Sequence, residues 1–252
     1  MTERLEGVVL NTLHHNDTHD IVTLYTLERG RLACLRRRPA PGSKAARAAS
    51  AATAAPLSIV ELQMRFNPAR ELQTFSQIAP LRLWHRIMAD PEKCIMALFI
   101  SDLLTNLLRA AEPDPNLYAY IIEGISSLDA TRRPIANFHI AFICGLLPLL
   151  GIQPDTRECT EESWLDMREG KFTRWAPPHN DRLEPRLASR IPLLERMNFR
   201  NMHLYKMSVS LRREALESLL RYCAVHIPFN PQLKSLDILR QWCEPLHPCP
   251  QL

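Results

Sequence analysis

Glycine is scarce in this sequence. The 252 residues hold only seven. Neither G-x-x-x-x-G-K-[ST] nor G-x-G-x-x-G occurs, so no known glycine-rich loop is present to cradle a nucleotide phosphate. A G-x-S-x-G elbow and an H-E-x-x-H helix are missing too, which removes two common hydrolase sites. The seven cysteines (Cys34, Cys94, Cys144, Cys159, Cys223, Cys243 and Cys249) are odd in number, scattered and without a C-x-x-C pair. That pattern speaks against a disulfide framework and against a zinc ribbon, and most are expected to be buried thiols. Long apolar runs are missing as well. Ile95–Ile100 and Ile140–Leu150 are short or broken, where a membrane span needs about 20 residues. The opening Met1-Thr2-Glu3-Arg4 lacks the basic start and apolar stretch of a secretory signal, so no membrane association and a cytosolic location are expected.

What is present divides into two textures. The first part alternates like strands: Gly7–Leu10, Asp20–Leu27, Leu32–Leu35, Leu57–Phe66 and Arg70–Ile78. Glu28-Arg29-Gly30-Arg31 supplies a tight turn, and Asn67-Pro68 a break. Five short strands suit a small closed barrel, of OB or SH3-like type. Residues 39–56, PAPGSKAARAASAATAAP, read as a mobile surface loop; the alanine run could form a transient helix, but flanking prolines and the lack of an apolar stripe make that a minority state.

From about Leu81 the period becomes helical. Asp90-Pro91-Glu92 has the form of an N-cap with proline at the first helical position. Helices are expected over 116–128, over the very apolar 134–150 ending at Gly151 with a kink or early stop at Pro148, and over 183–194, 196–204, 210–225 and 235–242. Between them, 155–181 is irregular, with a small hairpin around Glu169-Gly170-Lys171. The fold class is therefore α+β. A barrel domain occupies 1–80 and a mainly helical domain 81–252, with the irregular insertion at about 155–181.

The candidate chemistry is charge. Arg29, Arg31, Arg36, Arg37, Arg38, Lys44 and Arg47 follow one another without an acidic residue from 29 to 47. Several cations on one surface are what phosphate binding needs, and a barrel is a common scaffold for unpaired strands. A solvated edge that keeps the sheet from pairing would look the same on charge alone. Tyr25, Phe66 and Phe75 are candidate base-stacking rings, with core packing the expected fate of at least two of them. His14, His15 and His19 beside Asp17 and Asp20 read as a polar hairpin rather than a metal site. His139 lies on an apolar helix and reads as a core histidine, while His203, His226 and His247 share no pattern.

The segment EGVVLNTLHHNDTHDIVTLYTLERGRLACLRRR resembles the opening of RecO proteins. The carrying elements are Gly7–Leu10, Asp20–Leu24, Gly30-Arg31 and Arg36–Arg38, followed by Arg70-Glu71-Leu72. Arg213-Glu214-Ala215-Leu216, His226-Ile227-Pro228 and Leu233-Lys234-Ser235-Leu236 resemble the family's closing helix and its end. The resemblance implies an OB-fold, a helical domain, and a non-enzymatic mediator of recombinational repair. Such a protein binds single-stranded DNA, anneals it and helps load RecA onto strands coated by SSB, with RecR as a further partner. Many relatives carry a four-cysteine zinc module where 155–181 lies. This chain offers only Cys159 there, so no zinc and no other cofactor is expected. The hairpin is expected to stand in for the module, with Trp164, Phe172 and Trp175 packing in its place. The acidic, apolar tail of SSB would need an apolar groove and cations. Arg132 and Arg133, read as lying at a helix N-terminus, are the candidates, with Arg109 next. A protein-only adaptor, or an enzyme of unrecognised type in the helical domain, is the alternative.

Overall fold

The computed structural model describes residues 2–39 and 44–243, without the side chains of Ala45, Ala46, Arg47, Trp242 and Cys243. His247 and Cys249 lie outside the described residues. The chain forms two compact units, Met1–Asp129 and Ala130–Leu252.

Five strands build the first unit: β1 (Glu3–Asn16), β2 (His19–Thr26), β3 (Gly30–Arg37), β4 (Ile59–Met64) and β5 (Leu72–Arg82). They close in the order β1-β2-β3-β5-β4, with β1 antiparallel to β4 and β3 parallel to β5. This is an OB-like barrel. Alternation along each strand sends Leu5, Val9, Val22, Leu24, Leu32, Cys34, Val60, Leu62 and Met64 into one core. Burying each large aliphatic side chain there contributes about 1.5–3 kcal/mol.

Residues 39–56 are not wholly loop. Lys44–Ala52 is a helix, α1. Alanine has the highest helix propensity, and tertiary bonds hold the far end. Arg36 Nη1 donates to Ser50 O at 2.9 Å, and Thr12 Oγ1 to Ala54 O at 3.1 Å. These anchors supply what an apolar stripe would have supplied.

Three helices complete this unit: α2 (His85–Ala89), α3 (Pro91–Leu107) and α4 (Pro115–Ala130). Asp90 caps α3 as expected, accepting from Glu92 N at 2.9 Å. The helices are stitched to the barrel. Thr105 Oγ1 donates to Leu10 O at 3.0 Å, Arg31 N to Ala111 O at 3.0 Å, and Tyr25 Oη to Glu112 O at 3.0 Å. The barrel's last strand ends at Arg82, near the expected boundary at residue 80, while the compact unit runs on to Asp129.

The second unit is centred on α5 (Phe138–Leu146), which is buried along nearly its whole length. The helix expected from Pro134 begins four residues later. Asn137 is held out of helical geometry: its Nδ2 donates to Met202 O and Tyr205 O at 3.0 and 2.8 Å. The helix ends at Leu146, the early stop that Pro148 implies, since proline has no N–H to continue it. The hairpin is real: β6 (Trp164–Asp166) and β7 (Lys171–Thr173) turn at Gly170, φ +65°, and β8 (Arg182–Leu183) adds a third strand. Helices α6 (Pro185–Ala188), α7 (Ile191–Glu195), α8 (Val209–His226) and α9 (Leu236–Cys243) follow. The expected helix over 196–204 reduces to one 3-10 turn at Met202–Leu204. Among the described residues no helix is long and apolar enough to cross a membrane.

Candidate nucleic-acid interface

Strand alternation sorts the cations of the 29–47 stretch. On β3, Gly30, Leu32, Cys34 and Arg36 face inward. Arg36 is therefore only 6% exposed. Its Nη2 meets Asp20 Oδ2 at 2.8 Å. Arg31, on the other face, is half-buried and donates from Nη1 to Thr105 O at 2.7 Å. Burial, and then the neighbouring Arg109, lower its pKa. Arg29 is held by Glu3 through Nη2 at 2.9 Å, and its guanidinium lies 4.6 Å from the centre of the Phe66 ring. Arg29, Arg31 and Arg36 are thus held inside the unit.

Arg37, Arg38 and Lys44 are exposed. Arg37 is paired by its backbone with His19 on β2, and its side chain makes no hydrogen bond or ion pair among the described residues. Arg38 is exposed, with Nη1 at 3.0 Å from His14 Nδ1 and Nε at 3.8 Å from Asp20 Oδ1. Lys44 is exposed at the start of α1. The side chain of Arg47 lies outside the described residues.

Arg37 borders a groove of about 520 Å³. β3 and β5 pair only at Ala33–Leu35 with Leu72–Thr74. Beyond that the two strands part, and α1 approaches from the far side. Leu35, Arg37, Ser50, Thr74, Phe75 and Ile78 contribute to its walls, and among the described residues no acidic one lines it. Of the three candidate rings, Tyr25 is fully buried and Phe66 packs on the barrel core beneath Arg29. Phe75 is half-buried and opens into the groove. The groove was missed in the sequence because a parallel pairing of two distant strands leaves no local signal.

Net charge lies elsewhere. Lys and Arg number 14 against 14 Asp and Glu in Met1–Asp129, and 17 against 13 from Ala130 onward. The whole +4 of the chain belongs to the second unit. There Arg132 and Arg133 are exposed, in the connection before α5 rather than at its N-terminus. Arg133 Nη1 is 2.9 Å from His203 Nε2. That histidine lines a cleft of about 480 Å³ with Asn137, Lys206 and Arg212. An apolar cavity of about 260 Å³ shares Tyr205, Lys206 and Met207 with it, and adds Leu187, Ile191, Leu194 and Arg190. Arg109 belongs to the first unit, where Nη2 bonds Asn106 Oδ1 at 2.9 Å. His139 is buried, and burial lowers its pKa to about 3, so it stays neutral.

The hairpin region holds no metal-type cluster: among the described residues no group of three or more His, Cys, Asp or Glu side chains is placed to hold an ion. Cys159 has no such companions, so these residues do not fit a zinc module. Leu165, Phe172 and Leu183 are buried there, Arg182 lies over the Trp164 ring, and Arg168 pairs with Asp181 at 2.7 Å. Trp175 does not pack as expected. It is 76% exposed.

The sequence matches the family model described as Recombination protein O N terminal over residues 1–84, and the one described as Recombination protein O C terminal over 88–237. The chain belongs to the RecO family. Its similarity to individual RecO proteins runs nearly end to end. A DNA repair protein RecO of Phocaeicola vulgatus is 34% identical over 241 residues, covering 96% of this chain and 99% of that protein. The RecO proteins of Porphyromonas gingivalis and Bacteroides fragilis are each 32% identical, covering 92% and 96% of this chain and 96% and 99% of their own.

Proposed function

We propose that the protein is a non-catalytic recombination mediator of the cytoplasm and nucleoid. It binds single-stranded DNA on the barrel unit, anneals complementary strands, and helps load RecA onto SSB-coated DNA, with RecR as a partner. The observation that carries this reading is the acid-free groove between β3, β5 and α1, with the unpaired Arg37 guanidinium on its rim. Arg37, Arg38 and Lys44, with Arg47, contact phosphates, whereas Arg29, Arg31 and Arg36 act by holding the barrel. Annealing follows from charge: a surface that neutralises phosphates lowers the repulsion between two strands.

The second unit takes the acidic tail of SSB in this reading. A cationic unit suits an acidic segment. The apolar cavity beside a cleft bearing His203, Lys206 and Arg212 offers an apolar slot and cations together. Arg133 reaches this cleft through His203. Arg132 flanks it in sequence, and Arg109, in the other unit, is the weaker candidate.

The test is salt-dependent binding of a labelled unpaired oligonucleotide to the full chain. For single strands the logarithmic salt slope is about −0.7 per phosphate neutralised. Three or four working cations give a slope of about −2 to −3, whereas all seven would give about −5. Changing Arg37 and Arg38 together to Ala flattens the slope by about 1.4 and weakens binding. An unchanged slope and affinity would remove the groove rim from the site.

A further inference from the structure

We infer that the barrel groove is a base-holding site, and that Phe75 is the stacking platform that makes the protein prefer unpaired strands. This rests on the reading that the barrel unit binds single-stranded DNA, and it says what that binding is made of. The first ground is electrostatic. The unit carries no net charge, and Arg29, Arg31 and Arg36 are already engaged by Glu3, Thr105 and Asp20. A neutral surface with a few free cations lacks the field that holds a strand by its phosphates alone. Affinity then needs a second source.

The second ground is the shape of the site. After Thr74, β5 continues to Arg82 paired with β4 on one side, while its β3-facing side borders the groove. The wall so formed is mixed. Phe75 and Ile78 are half-buried on it, Leu35 lines the groove from β3, and the hydroxyl-bearing Ser50 and Thr74 add polar groups to the lining. Phosphates have no use for an apolar, aromatic wall. A base does: it lays a flat face on the ring and turns its polar edge to hydroxyls. Arg37, on the rim, meets the backbone of the same nucleotide. The Phe75 ring is anchored from behind by the barrel core, so it loses little freedom when a base stacks on it.

The consequence is selectivity. In a duplex the bases are stacked on each other and paired, so no face is free for Phe75. One ring holds one base, which leaves flanking bases able to pair with an incoming strand. Stacking is sequence-tolerant, because every base has such a face.

The experiment uses the full chain and three labelled probes of equal length: oligo-dT, the same backbone with abasic sites, and a duplex. Oligo-dT binds about 10-fold more tightly than the abasic strand, and the two share one salt slope. Phe75→Leu, which keeps an apolar side chain against the core, loses that preference and binds both strands like the abasic one. Phe75→Trp keeps or strengthens it, and urea unfolding of each variant shows that the barrel is intact. Equal binding of oligo-dT and the abasic strand by the wild type overturns the stacking inference while leaving phosphate binding in place. Unchanged discrimination in Phe75→Leu overturns the assignment of Phe75. If no unpaired strand binds at low salt, the DNA-binding reading itself falls.

Discussion

Replacing Arg36 with alanine lowers the stability of the barrel unit by about 3–5 kcal/mol, the usual cost of leaving one member of a buried ion pair alone. Arg36 is 6% exposed, Asp20 Oδ2 lies 2.8 Å from its Nη2, and its Nη1 holds the Ser50 carbonyl at the end of α1. The variant therefore loses a charge partner and the anchor of a helix together. Asp20 keeps Arg38 and His14 at 3.8 and 3.7 Å, which places the loss toward the lower end of that range. Urea unfolding of Arg36→Ala, Asp20→Ala and the double variant measures it. The expected result is a double variant less destabilised than the sum of the singles. Binding of unpaired strands by folded Arg36→Ala keeps the wild-type salt slope, because that guanidinium, though at the groove wall, is nearly buried and already held by Asp20 and the Ser50 carbonyl. A stable variant with a flatter slope would make Arg36 a strand contact.

Gly30→Ala is expected to be comparably severe, at about 3 kcal/mol or more. The residue sits at φ +64°, where an L side chain costs about 1–2 kcal/mol. A Cβ there would stand 2.5 Å from Ala111 O, 2.6 Å from the Glu112 carbonyl carbon and 2.7 Å from Pro113 N. All three are backbone atoms of the connection between α3 and α4 and cannot swing aside. Relief requires that connection to lift off, breaking the bonds from Arg31 N to Ala111 O and from Tyr25 Oη to Glu112 O. Tyr25 is fully buried with its hydroxyl paired, so lifting exposes a large ring. Limited proteolysis detects this as new cleavage within 108–114, alongside the drop in urea midpoint. The same docking predicts that a fragment of residues 1–129 folds cooperatively and one ending near Pro80 does not. A cooperative 1–80 fragment would show that the helices are not part of the barrel's stability.

The barrel was legible in the sequence because each strand announces itself locally. Val8, Leu24, Leu32 and Leu62 fall on alternating patterns bounded by turn residues, and the observed strands lie where those patterns lie. A closed barrel followed from the strand count, but the pairing that closes it did not, because the parallel meeting of Ala33–Leu35 with Leu72–Thr74 joins segments nearly forty residues apart. The basic stretch shows both sides. Its positive sign was plain, yet the period of β3 already put Arg36 on the face of Leu32 and Cys34, and Arg37 on the other. Reading the run as one surface ignored that alternation. The partners of Arg29 and Arg31, Glu3 and Thr105, are tertiary and unreadable in advance. The α1 helix was missed for a related reason: its anchors, Arg36 and Thr12, sit on strands far from it in sequence. In the second unit the apolar α5 was evident from composition. Its start was not, because Asn137 is held by carbonyls near residue 205.

The central claim is that this RecO-family chain acts on unpaired strands through the barrel groove. The most direct measurement is the rate at which the full chain anneals complementary oligonucleotides already coated with SSB, for the wild type and for the Arg37→Ala, Arg38→Ala double variant. The account predicts clear acceleration by the wild type, and a return toward the rate without protein in the double variant, whose urea midpoint stays at the wild-type value. No acceleration by the wild type, or full acceleration by the variant, would contradict it.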